Sequence, residues 1–130
     1  MTESTFDRSE VLEHAKIAAL WSTTGEDGAE HEGVEYENLD AVFTPENVTG
    51  EAEEQLVALI DQFFEKTGDL LNDYPMEASQ IGHDLILTIN GHGAGFWDRG
   101  LGELGNKLTK VCEELPEYQL YVGDDSKLYA

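Results

Sequence analysis

The pattern of apolar and polar positions predicts three helices. Apolar side chains recur at helical spacing over about residues 8 to 22, 51 to 66 and 101 to 114. The second helix has the clearest pattern, because five large apolar residues share one of its faces: Leu56, Leu59, Ile60, Phe63 and Phe64. We expect Thr49 to cap the start of this helix and Pro116 to stop the third.

Two pairs of short strands are predicted in the second half of the chain. Residues 83 to 90 are apolar on both alternating faces, as is typical of a central strand that is covered on each side. A glycine-rich tip, residues 91 to 95, would turn the chain into a second strand at 96 to 98. Residues 118 to 122 and 127 to 129 flank a turn-rich spacer of hairpin length.

The order of these elements predicts a single α+β domain that covers residues 1 to 130. In this prediction a small antiparallel sheet, about residues 83 to 98 and 118 to 129, packs against the three helices. The length suits one core. Residues 22 to 48 are rich in acids and glycines and contain no Lys or Arg, so we interpret them as a long solvated loop or lid. Four apolar residues would attach its second half to the core: Tyr36, Leu39, Val42 and Phe43.

The charge balance narrows the choice of partner. The chain has 28 Asp and Glu against seven Lys and Arg, which gives a formal net charge of −21, and 20 of the acids lie in residues 1 to 81. A protein with this much negative charge repels phosphate groups. We therefore expect no direct binding to nucleic acid or to an anionic membrane. The complementary partner is a protein with a basic surface, a metal ion, or only water.

The cysteine count and the N-terminal sequence predict a cytoplasmic protein. Cys112 is the only cysteine, which excludes an internal disulfide and suits a reducing compartment. The first residues lack the basic and then apolar order of a signal peptide, and no apolar run has the length of a membrane helix. We expect Cys112, Phe96 and the two tryptophans, Trp21 and Trp97, to belong to the core.

A group of histidines and carboxylates suggests a metal site or a general base. The group is His83, Asp84, His92 and Asp98, with Arg99 beside it. Adjacent strand residues point to opposite faces, so His83 and Asp84 would share a site only at a frayed strand end. A hairpin could bring His92 close to Asp98, either as a site or as a structural hydrogen bond that fixes the tip. An ion pair with Asp98 would account for Arg99, and no cofactor or metal is predicted.

The glycine-rich segment between residues 90 and 102 has two interpretations. A strand, a glycine loop and a helix can hold phosphate through backbone N–H groups. The segment nevertheless lacks the order G-x-G-x-x-G, and no P-loop lysine follows it. A tight hairpin needs only the glycines.

The same segment carries a resemblance to a known family. The sequence from His83 to Gly102, which includes Asn-Gly-His-Gly-Ala-Gly-Phe-Trp-Asp-Arg-Gly-Leu-Gly, resembles small, mostly uncharacterised proteins encoded by tailed bacteriophages. The resemblance continues through the helix from Leu104 to Leu115 and the ending Tyr-Val-Gly-Asp-Asp-x-Lys-Leu-Tyr. It implies a phage origin, and hence the host cytosol, and brings no catalytic role with it. Phages also encode acidic antirestriction proteins that mimic DNA.

Charge and setting together predict a phage-encoded acidic interaction protein, whose specific form would be a DNA mimic that inhibits a host nucleic-acid-binding or defence protein. Its carboxylates would match phosphate spacing and steer a basic cleft toward them. The predicted contact residues are Glu30, Glu32, Glu35, Glu37, Glu51, Glu53, Glu54, Asp61 and Glu65. Two alternatives stay open. One is a small metal- or phosphate-binding enzyme using His83, His92, Asp98 and Arg99. The other is an acidic structural or regulatory phage protein whose charge serves solubility alone.

Overall fold

The fold is mostly helical, with two small antiparallel hairpins. The computed structural model describes residues 7–23, 30–31, 33–74, 77–91, 95–123, 125 and 127–130. Over these ranges the helices are α1 (Arg8–Ser22), α2 (Gly50–Thr67), α3 (Ala78–Ile89) and α4 (Glu103–Glu113). The hairpins pair β1 (Glu30–His31) with β2 (Val34–Glu35), and β3 (Tyr121–Val122) with β4 (Leu128–Tyr129). Short 3-10 turns cover Leu39–Ala41, Pro45–Asn47, Gly68–Asp73 and Phe96–Asp98.

The three predicted helices are confirmed as α1, α2 and α4. The Asp7 side chain accepts a hydrogen bond from the backbone N of Ser9 at 2.8 Å, which satisfies a free N–H group at the start of α1. Thr49 caps α2 in the same way, accepting from the backbone N of Ala52 at 3.2 Å. Gly68, with a φ of 50°, ends α2. The apolar face predicted for α2 is buried throughout.

The predicted central strand is wrong, because residues 83 to 89 form the second half of helix α3. Over so few residues a buried helix and a buried strand share the same unbroken apolar pattern. The helical spacing emerges only when residue 81 is included, since Ile81, Leu85 and Ile89 follow one another at intervals of four and are all buried.

The second predicted strand, residues 96 to 98, is also wrong and is a 3-10 turn. The antiparallel sheet expected over 83–98 and 118–129 is therefore limited to the β3–β4 hairpin. The α+β description holds in the coarser sense that helices form the core and a small hairpin lies beside them.

The closest packing of the fold lies between α1 and α3. A Cβ atom on Gly82 would stand 2.5 Å from the carbonyl O of Val11 and 2.8 Å from the backbone N of Ala15. No side chain fits in that space, so the two backbones touch through a glycine. Ala15, Ala18 and Ala19 are fully buried on α1, and their small size lets the helices stay close along their length.

The C-terminal segment is attached to α3 and α2 by specific hydrogen bonds. The side-chain amide of Asn90 donates to the carbonyl of Tyr118 at 2.9 Å and accepts from its backbone N at 2.9 Å, as a neighbouring strand would. The Tyr118 hydroxyl donates to the carbonyl of Ala52 at 2.7 Å. These bonds place the β3–β4 hairpin beside the first turn of α2.

The interpretation of residues 22 to 48 as one long loop is corrected, because its described part is structured. It contains the β1–β2 hairpin and the 3-10 turns at Leu39–Ala41 and Pro45–Asn47. The four apolar residues expected to attach it do so, because Leu39 and Phe43 are buried while Tyr36 and Val42 pack partly buried against the core.

Replacing Gly82 by alanine should destabilise the fold by about 2 kcal/mol. Alanine favours a helix over glycine by about 1 kcal/mol, but a clash with backbone cannot relax as a flexible side chain would. Urea unfolding followed by circular dichroism measures the difference. Gly50→Ala is the matched control, since a Cβ there meets nothing within 4 Å, and its stability should change by less than about 0.5 kcal/mol. An unchanged Gly82→Ala variant would contradict the close packing of α1 and α3.

Candidate functional site

The outward face of α2 carries the strongest concentration of carboxylates predicted to bind a partner. Glu51, Glu54, Ala58, Gln62 and Glu65 are exposed and follow one another at steps of three or four residues. Lys66, which is also exposed, follows Glu65 at the edge of this face. Among the described residues no ion pair involves Glu51, Glu54 or Glu65. We call this surface, defined by those three glutamates, the acidic face of α2.

The other two acids predicted on α2 are paired with bases of α1. Arg8 contacts Asp61 at 2.7 Å between Nη1 and Oδ1, and Lys16 forms an ion pair with Glu53. The first pair joins the start of α1 to the second half of α2, and the second joins the middle of α1 to the first turn of α2. They therefore favour an antiparallel arrangement of the two helices. Both charges are neutralised locally and add less to an external field than the acidic face of α2.

Three of the four loop acids predicted to bind a partner lie in or beside the β1–β2 hairpin. Glu30 is paired with Glu35 in the backbone register, Glu35 and Glu37 are exposed, and Glu32 lies outside the described residues.

His83 lies in a small aromatic cluster between α1 and α3. Its Nε2 is 3.2 Å from Nδ1 of His14, and its ring stacks on Trp21 at a centroid distance of 6.3 Å. Burial, and then the nearby His14, lower the pKa of His83, whereas the charge of Asp84 acts in the opposite direction. The expectation that Trp21 belongs to the core is wrong, because 38 % of it is exposed.

Asp84 is fully buried and forms an ion pair with Arg99. The Arg99 Nε donates to both carboxylate oxygens, at 3.0 and 3.2 Å, and Nη2 lies 2.8 Å from Oδ1. Gln80, one turn earlier on α3, donates to Oδ1 at 3.0 Å. This geometry is a two-point guanidinium–carboxylate contact, the strongest kind of ion pair in proteins. It binds the turn after residue 96 to the centre of α3.

The buried charge of Asp84 affects the groups around it. Burial and then this charge raise the pKa of Tyr74, and the same two causes raise the pKa of Cys112 to about 12. The Cys112 thiol therefore stays protonated at neutral pH. A cysteine nucleophile has to be a thiolate, so Cys112 is not suited to that role. Cys112 is buried in the core, as predicted.

His83 and Asp84 have different partners and do not form one site. On a helix, successive residues are separated by about 100°, so the two side chains diverge as predicted, although the element is a helix and not a strand. Arg99 binds Asp84, and its predicted pair with Asp98 stays a prediction. His92 lies outside the described residues, and Asp98 is described only as the last residue of the turn Phe96–Asp98. Within the described part of the chain, no three His, Cys, Asp or Glu residues are arranged to hold a metal ion.

Of the described glycines in the glycine-rich segment, Gly95 provides close packing, whereas Gly91, Gly100 and Gly102 adopt the positive φ that favours glycine. A Cβ on Gly95 would stand 2.3 Å from Oγ1 of Thr88, and just after the segment one on Gly105 would stand 2.7 Å from the carbonyl of Phe96. Phe96 is buried and stacks on Phe63 at 5.5 Å, as its assignment to the core predicts. Trp97 is 47 % exposed, so its assignment to the core is wrong. Because α3 precedes the segment, the strand required for the phosphate interpretation is missing.

Two sets of contacts, those of His83 and those of Asp84, were not predicted, although helical spacing could have indicated them. His14 and Trp21 are seven residues apart, which places them on one face of α1, and Gln80 and Asp84 are four apart on α3. The first signal was visible once α1 was predicted. The second was hidden by the assignment of residues 83 to 90 to a strand.

Removing Arg99 should cost about 3 kcal/mol of unfolding free energy, because Asp84 would keep a buried charge without its ion-pair partner. The variant is Arg99→Met, measured by urea unfolding. The double variant Asp84→Asn with Arg99→Met should recover part of the loss. Arg8→Met removes the exposed pair with Asp61 and should cost less than about 1 kcal/mol. Equal losses in Arg8→Met and Arg99→Met would contradict the buried ion pair.

The lowered pKa of His83 should make its contribution to stability depend on pH. Below a pH of about 6.5, His83 is protonated in the unfolded chain but stays neutral in the folded chain until a lower pH. The unfolded state then binds more protons than the folded state, so stability is lost as the pH falls. The difference in unfolding free energy between the wild type and His83→Gln should therefore shift against the wild type from pH 7.5 to 5. The carboxylates contribute equally to the pH dependence of both proteins, so their contribution cancels in the difference. A difference that stays constant with pH would contradict the prediction.

No helix in the described part of the chain has the length and apolar character needed to cross a membrane. Comparisons with protein-family models, with curated proteins and with solved structures give no match. The function is therefore inferred from the charge and geometry of the chain itself.

Proposed function

We propose that this protein is an acidic interaction protein that binds a basic protein surface through the acidic face of α2. The observation that carries the proposal is the exposure of Glu51, Glu54 and Glu65 on one side of a well-capped helix, without an ion pair among the described residues. The bases of α1 are engaged elsewhere, by Asp61 and Glu53. A basic partner would therefore supply the missing cations.

The helix holds these carboxylates in fixed positions. Glu51 and Glu65 are separated by about 21 Å along the axis, at 1.5 Å per residue. The opposite side of α2 is buried against the core, so the face has little freedom to rotate. Charges on a rigid element lose little entropy when a partner binds, which favours affinity over a disordered acidic tail of equal charge.

A DNA mimic that inhibits a host nucleic-acid-binding or defence protein is the more specific form of this proposal. Duplex DNA carries about 12 charges over 21 Å, whereas the acidic face of α2 has three. The face alone is thus too sparse to replace a duplex, and mimicry would need the loop acids Glu35 and Glu37 as well. The resemblance of residues 83 to 102 to phage proteins favours a host protein as the partner.

Two triple variants of equal charge test whether the face, and not the total charge, binds. Glu51→Gln, Glu54→Gln and Glu65→Gln should weaken binding to a lysine-rich peptide roughly tenfold, at about 0.5 kcal/mol for each lost charge pair. The matched control neutralises three exposed acids elsewhere: Glu103, Glu113 and Glu114. Isothermal titration calorimetry at low and high salt measures both. Equal weakening in the two variants would overturn the proposal.

The mimic is tested by competition. Partners are recovered from host lysate with the wild type, and each is then bound to labelled duplex DNA. The wild type and the α4 control should displace the DNA at low salt, and the α2 variant should not. Recovered partners that bind no nucleic acid, or that keep their DNA in the presence of the wild type, would rule out mimicry and leave the broader proposal standing.

A further inference from the structure

The β3–β4 hairpin presents a pair of stacked tyrosines to solvent. Tyr121 is 57 % exposed, the highest value among the large apolar residues of the described chain. Its ring stacks on Tyr129 across the hairpin, with centroids 5.8 Å apart and an interplanar angle of 23°. Both residues line a shallow depression together with Gly123 and Asp125. Tyrosine is enriched at protein interfaces because its ring is apolar and its hydroxyl can form a hydrogen bond, so this pair is a candidate contact surface.

The local sequence fixes the geometry of this depression. A Cβ on Gly123 would stand 2.3 Å from the ring of Tyr129, so only glycine leaves room for the ring there. The Tyr129 hydroxyl donates to Oδ2 of Asp125 at 2.8 Å, and the backbone N of Lys127 donates to Oδ1 at 3.2 Å. These bonds place a carboxylate at the edge of the stacked rings and lower the pKa of Asp125, so it is charged at neutral pH.

The hairpin adjoins the acidic face of α2. The backbone N of Thr49, the cap of α2, donates to the carbonyl of Leu128 at 2.9 Å. The hydrogen bond to Asp125 is the main cause of the raised pKa of Tyr129, and the charge of Glu51, the first glutamate of the face, adds to it. A basic molecule lying along α2 would therefore reach the tyrosine pair at the N-terminal end of the helix.

We propose that Tyr121, Tyr129 and Asp125 bind an arginine side chain of the basic partner. The proposal deepens the function proposed above and rests on it. A guanidinium is planar, stacks on an aromatic ring through its charge and dispersion, and donates to a carboxylate at its edge. The described site offers both contacts side by side. The Lys127 charge also acts on Asp125, but no ion pair within 4 Å joins them in the described structure.

The test compares two lysine-rich peptides of equal charge that differ only in one central residue, arginine or lysine. The wild type should bind the arginine peptide about two- to fivefold more tightly, and Tyr121→Leu should abolish this preference. Tyr121→Phe keeps the ring and should keep the preference. Trp97→Leu, which removes another exposed aromatic ring, is the matched control and should also keep it. Fluorescence anisotropy measures affinity, and NMR shifts of the Gly123 amide report contact.

The outcomes separate this inference from the proposed function. Equal affinity for the two peptides, or a preference that survives Tyr121→Leu, would overturn the arginine site. The α2 glutamine variant should bind both peptides more weakly by the same factor, so the ratio of the two affinities should stay unchanged. If the α2 glutamine variant binds both peptides as tightly as the wild type does, the proposed role of the acidic face is wrong. The ratio of the two affinities still tests the arginine site independently.

Discussion

The contact between the backbones of α1 and α3 at Gly82 is the constraint on which the rest of the structure depends. It fixes the rotation of α3, because only one side of that helix lacks a side chain and can lie against Val11 and Ala15. The next two residues then have no freedom of direction. His83 must face His14 across the helix pair, and Asp84 must point to the buried side where Arg99 reaches it. One small residue thereby sets the position of a buried charge.

The chain has few bases for its many acids, and in the described structure three of the seven bases form ion pairs. Arg99 compensates the buried Asp84, whose carboxylate would otherwise be too costly to keep ionised in the interior. Arg8 and Lys16 connect α1 to α2, where each also limits repulsion between the helices. The other acids whose side chains the structure describes are exposed, and the high dielectric of water keeps their mutual repulsion small. A net charge of −21 is thus compatible with a compact fold.

The elements that could be predicted were those with one polar side. α1, α2 and α4 each face water, so the sequence alternates at helical spacing and the caps Asp7 and Thr49 mark where two of them begin. α3 is covered almost all round, and over residues 83 to 89 alone its apolar pattern does not distinguish a helix from a strand. The same error concealed the partner of Asp84. The tyrosine pair could not be predicted for another reason. Its stacking requires the strand register that pairs Tyr121 with Tyr129, and the sequence of the spacer does not determine that register by itself.

Charge and aromatic surface have different effects on binding, and the fold brings them together. Carboxylates on the acidic face of α2 accelerate encounter with any basic body, but they discriminate poorly because the field they create is broad and screened by salt. Selectivity requires a short-range contact that slows dissociation, which exposed tyrosines commonly supply. The bond from Thr49 to Leu128 holds the hairpin against the start of α2, so both kinds of contact are available to one partner at once. The arrangement of these two elements, more than the total charge, would then determine which basic protein is bound.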